Sequence, residues 1–88
     1  MKTKPNFMLR NVAGKDIVVA VGAASMDFNG IITLNETGAF LWKILEQGAT
    51  YDELVEKMSA EYEADKDEIK SGIDEFIKIA NDAKLLDM

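Results

Sequence analysis

The side chains that could do chemistry in this sequence are carboxylates and hydroxyls. Asp52 and Glu56, and likewise Asp67 and Ser71, lie four residues apart, which would place each pair on one face of a helix. That spacing suits metal ligands or a general acid and base. Neither pair has a suitable partner, because the chain holds no histidine and no cysteine. The usual general base, the commonest metal ligand and the thiolate nucleophile are therefore missing. Ser25, Ser59 and Ser71 have no imidazole to activate them, and no spacing points to a lysine acting as base. Glu53 and Glu56 with Lys57, and Asp74 and Glu75 with Lys78, form local charge pairs of the kind that solvated helix faces carry. Catalysis is not expected, and neither is a metal or a cofactor.

The chemistry that remains is that of the backbone. Asn29 to Trp42, NGIITLNETGAFLW, joins a strand-like run (Ile31, Ile32, Thr33 and Leu34) to a helix with no spacer. The run carries no charge and no proline, the usual guards of a sheet edge. Only one of its faces can enter a core, so Ile32 and Leu34 alternate with Ile31 and Thr33. Either the chain covers this strand itself, or the strand accepts a peptide or a second copy through its main-chain hydrogen bonds.

Other residues admit two readings. Gly14, Gly22 and Gly30 form no phosphate-cradling pattern and read as turns. Gly72 lies inside a helix, where glycine costs about 1 kcal/mol relative to alanine. It marks either close packing of that helix on the sheet or room for a ligand backbone. Trp42, among Phe40, Leu41, Ile44 and Leu45, reads as core, and Met8, Met26 and Met58 as core or adaptable groove lining.

Eighty-eight residues make one domain, expected to be ordered over about 7–86, able to bury a modest core but not a deep pocket as well. No apolar run approaches a membrane span. Lys2 and Lys4 are followed by no hydrophobic segment, so no secretory signal is read and the cytoplasm is the expected compartment. Charge is uneven. Residues 1–30 hold four cations against two acids, a net +2, and residues 31–88 hold six lysines against fourteen acids, a net −8. A helix that reads nucleic acid usually carries a basic field. The reverse balance here argues against nucleic acid.

Residues 1–6 read as a loose leader. Phe7 to Val12 and Ile17 to Val21 are strands about a turn at Ala13 to Asp16. Ala23 to Phe28 is a loop or the start of a third strand, Phe28 is a candidate cap on the sheet edge, and Asn29-Gly30 is a turn before Ile31 to Leu34. A first helix spans about Glu36 to Gln47, from an Asn35 cap to a stop at Gly48. Capping-box patterns at Thr50 to Glu53 and Asp65 to Glu68 start two more. Leu85 and Leu86 fold back on the core or form a very short strand. The fold class is α+β: a small antiparallel sheet of two or three strands, then three helices that cover it, winged-helix-like with the sheet at the front.

The run from Phe28 through Asn29-Gly30-Ile31-Ile32-Thr33-Leu34-Asn35-Glu36-Thr37 to Gly38, then Trp42 and Leu45, then Gly48-Ala49-Thr50, resembles the PqqD family. That family comprises the pyrroloquinoline quinone synthesis protein D and related peptide-recognition elements of ribosomal-peptide maturation. The resemblance covers about residues 7–86 and includes Leu54-Val55, Tyr62, Phe76 and the closing Leu85-Leu86. It implies three N-terminal strands and three helices, without catalytic activity. It also implies a partner: the leader segment of a precursor peptide, added as a strand beside Ile31, Ile32, Thr33 and Leu34. The leader would lie in a groove against the third helix, about Lys66 to Asp82, and be presented to a modifying enzyme, often a radical SAM enzyme. On that helix, Lys66, Lys70, Ile73 and Ile77 are expected on the groove side and Ile69, Phe76 and Ala80 toward the core. The lysines would then suit acidic leader residues. Family members commonly place glycine before the final leucines. Here Lys84 stands instead, so the helix is expected to end differently. The competing functions are a homodimeric adaptor that pairs the same strand with its twin, and a nucleic-acid binder, which the charge opposes.

Overall fold

The computed structural model describes residues 1–22 and 31–87. In chain order the elements are β1 (Lys2–Thr3), β2 (Phe7–Val12), β3 (Lys15–Ala20), β4 (Ile31–Leu34), α1 (Glu36–Gln47), α2 (Tyr51–Glu61), α3 (Lys66–Asp82) and β5 (Leu86–Asp87). The expected readings of Ala23 to Phe28, with Ser25, Met26 and Phe28, and of the Asn29-Gly30 turn fall outside the described residues.

β2 and β3 form a hairpin closed by Ala13 and Gly14, with Val12 opposite Lys15. Both turn residues have positive φ, 52° and 80°, the conformation that lets a two-residue loop follow the strand twist. The turn is thus shorter than expected, and Lys15 and Asp16 belong to β3. The three-stranded sheet runs β2-β3-β4, antiparallel throughout. Leu9, Val18 and Ile32 form one row across its inner face, and Val18 at the centre is wholly buried. The outer row is Met8, Val19 and Ile31, with Met8 and Ile31 exposed.

The helices begin where side chains can satisfy their first amides. Asn35 Oδ1 accepts from the Gly38 N–H at 2.8 Å and the Thr37 hydroxyl at 3.1 Å. Thr50 and Glu53 make the full reciprocal box, and Asp65 accepts from the Glu68 N–H. Gly48 ends α1 at φ 89°. Each helix buries one stripe: Leu41, Trp42 and Leu45 from α1; Leu54, Val55 and Met58 from α2; Ile69, Ile73, Phe76 and Ala80 from α3. Tyr62, just past α2, meets Phe40 edge to face at 5.5 Å. Among the described residues no helix is long and apolar enough to cross a membrane.

Two readings need correction. Residues 1–6 are not a loose leader. Lys2 and Thr3 pair with Asp87 and Leu86 as a second, two-stranded sheet. The Met1 ammonium donates to the Ala49 carbonyl at 2.9 Å, and Ala49 N–H donates back to the Met1 carbonyl. A two-residue strand has no periodicity to read, so the sequence did not mark it. Nor does Lys84 change how α3 ends. Lys84 adopts φ 60°, the left-handed conformation glycine favours. Leu85 N–H donates to the Ala80 carbonyl and Lys84 N–H to the Asn81 carbonyl. These are the two bonds of a Schellman motif, made with lysine where glycine is usual.

Candidate functional site

Among the described residues β4 lies at the end of the three-stranded sheet, with β3 on one side only. Its register with β3 runs from Val19 opposite Ile31 to Asp16 opposite Leu34. In such a ladder alternate backbone groups of the outer strand point away from the sheet. Ile32 and Leu34 are half-buried and point inward, while Ile31 and Thr33 are exposed, Ile31 by 61%.

Beside this strand is a groove of about 300 Å³. One wall is Ile32, Thr33 and Leu34 of β4. The end is the cap of α1, Asn35, Thr37 and Gly38. The opposite wall is α3, through Gly72, Glu75, Phe76 and Ile79. Trp42 and Leu85, both almost wholly buried, complete the lining. The Trp42 indole N–H is buried and has no hydrogen-bond partner among the described residues. Gly38 sets the closeness of the end to the floor. A Cβ there would stand 3.0 Å from Asn35 Oδ1 and 3.5 Å from both Leu34 Cβ and Phe76 Cδ1.

Gly72 is different. It is exposed, and a Cβ built on it would meet nothing within 4 Å. Close packing against the sheet does not explain it. It leaves a low stretch in the groove wall, and packing among the described residues does not require it.

The expected groove side of α3 is displaced around the helix. Ile73 is 0% exposed and belongs to the core. Ile77 packs half-buried against that core, and Lys66 and Lys70 are exposed. At 100° per residue, Lys66, Lys70 and Ile77 fall on one flank of the buried stripe and Gly72, Glu75 and Ile79 on the other. β4 stands beside the second flank. The core assignments of Ile69, Phe76 and Ala80 agree with their burial, although Phe76 and Ala80 also line the groove. The sequence reading missed Glu75 and Ile79. Ile79 did carry a signal: it is a large aliphatic residue off the core stripe, and it is 51% exposed.

Chemically, the site offers a strand edge with no pairing strand among the described residues, beside an apolar trough. That combination holds an extended chain by its backbone and seats one or two of its side chains. The electrostatic perturbations lie elsewhere. The Tyr51 phenol is raised, chiefly by its hydrogen bond with Asp74. The Glu53 carboxyl is held below the usual range, chiefly by the Thr50 N–H.

Comparison with known proteins adds the following. The family model of coenzyme PQQ synthesis protein D (PqqD) matches residues 17–86. No curated protein matches the chain. Among solved structures, TbiB1 in complex with the TbiA(beta) leader peptide is similar with a TM-score of 0.80 at 20% identity, over 99% of this chain and 95% of that one. At that identity the likeness is one of fold.

Proposed function

The chain belongs to the PqqD family, and from that premise we propose that it binds the leader segment of a ribosomally made precursor peptide. In this reading the leader adds as a strand to β4, and the chain presents it to a radical SAM or other peptide-modifying enzyme. The chain itself is non-catalytic and works in the cytoplasm. The observation that carries the reading is the union of a β4 edge, free among the described residues, with an apolar groove whose far wall is lowered at Gly72. The likeness to TbiB1, solved with a leader peptide bound, supports it. Ile31, Ile32, Thr33 and Leu34 supply the ladder. Ile31 contributes through its backbone, since its side chain faces outward. Gly72, Phe76 and Ile79 take the wall role in place of Lys66, Lys70, Ile73 and Ile77.

The test is a titration of the isotope-labelled chain with a peptide selected on it from a random display library. Chemical-shift changes are expected at Ile31–Leu34 and along Gly72–Ala80. Trp42, the one tryptophan of the chain, should change its fluorescence in step. Shift changes that avoid both β4 and α3 would show that the groove is not the site.

A further inference from the structure

Lys66 and Lys70 of α3 stand on the flank away from the groove, and what faces the groove is acidic. Among the described residues that line it, Glu75 is the one charged side chain. The other lining groups are apolar or the neutral polar Thr33, Asn35 and Thr37. Glu68 and Asp82 lie seven residues before and after Glu75. Seven residues are close to two helical turns, a rise of roughly 10 Å. The three carboxylates therefore stand nearly in line along the groove-side shoulder of α3, and all three are exposed. Lys78, three residues beyond Glu75, is turned further round the helix and is not among the lining residues.

We propose that the groove selects extended peptide segments in which an apolar side chain is accompanied by lysine or arginine, the basic group reaching Glu75 and the carboxylates in line with it. The inference rests on the peptide-binding reading above and narrows it from any leader to a basic-apolar one. The sign is opposite to the expectation from Lys66 and Lys70, because those lysines are on the wrong flank. The trough supplies burial for the apolar side chain, and Glu75 supplies the charge that sorts among apolar partners. A carboxylate on the peptide would meet Glu75 at short range with no cation in the lining to offset it. The pairing is solvent-exposed, so it sorts modestly: about three- to tenfold between a basic and an acidic peptide at low salt, and less as salt screens it.

The experiment selects a display library of random twelve-residue peptides on the full chain and on three variants. Glu75→Lys reverses the charge in the groove. Glu56→Lys makes the same change on α2, which contributes nothing to the lining. Gly72→Leu fills the groove. The expected result is a pool enriched in lysine or arginine next to aliphatic or aromatic residues, with the bias reversed by Glu75→Lys and kept by Glu56→Lys. A charge bias that is absent, that survives Glu75→Lys, or that shifts equally with Glu56→Lys would overturn the inference while leaving the groove as the site. A pool that binds Gly72→Leu undiminished would sink the groove reading, and the inference with it. Fluorescence titration of one enriched peptide and its glutamate-substituted twin then measures the fold-change directly.

Discussion

Gly38 of α1 faces Phe76 of α3, and a Cβ on the glycine would stand in van der Waals contact with Phe76 Cδ1, at 3.5 Å. The same Cβ would press on Asn35 Oδ1 at 3.0 Å, the oxygen that caps α1. One residue thus joins the helix cap to the floor of the groove. Gly38→Val is expected to lower stability by about 1–3 kcal/mol through overpacking and a disturbed cap. Urea denaturation checks this. A variant as stable as the parent would show that α1 and α3 do not approach in this way.

Gly72 should show the opposite sign. Alanine there meets nothing among the described residues and is the better helix former, so Gly72→Ala should raise stability by up to about 1 kcal/mol. If the low wall admits a partner backbone, the same methyl should weaken a groove peptide by about tenfold, the equivalent of roughly 1.4 kcal/mol of overpacking. Denaturation and fluorescence titration on one sample separate the two effects. Unchanged affinity would remove Gly72 from the site.

Lys84 holds φ 60° at the end of α3, where an L side chain is strained by about 1 kcal/mol. Lys84→Gly relieves that strain, partly offset by the freer unfolded chain, and is expected to add up to about 0.5 kcal/mol. A lower melting temperature would contradict the Schellman geometry.

Glu53 governs one pH response. The Thr50 N–H donates to its carboxylate at 3.0 Å, and the folded pKa lies below the ordinary value. A depressed carboxyl contributes stability above its unfolded pKa and loses it as pH falls through the folded one. The capping box at α2 should therefore weaken as pH drops below about 4.3. Glu53→Gln keeps the hydrogen-bonding pattern and cannot ionise, so the variant should lose this part of the acid response. Circular dichroism from neutral pH downward, parent against variant, reads it. Identical acid limbs would assign the transition to other carboxylates.

Much of the fold was legible because its signals are local. Asn35, Thr50 and Asp65 each cap within three residues of themselves, and Gly48 stops α1 by its own φ. All three helices therefore lie where those residues put them. The strands Phe7–Val12 and Ile31–Leu34 were equally readable. The β1–β5 pair was not, since Lys2–Thr3 and Leu86–Asp87 meet only after the whole chain has folded between them.

The candidate site divides along the same line. By itself the sequence determined an uncharged strand running into a capped helix, a glycine inside α3, and the lack of imidazole and thiol chemistry. These follow from residue identity and short-range periodicity. Only the tertiary structure decided that β4 is the edge among the described strands and that α3 turns Gly72, Glu75 and Ile79 toward it, leaving Lys66, Lys70 and Ile77 on the far flank. An amphipathic stripe defines which face of a helix is buried, but its two flanks remain equivalent until another element packs beside one of them. Here the placement of β4 across the groove from α3 made that choice, and with it the charge of the groove.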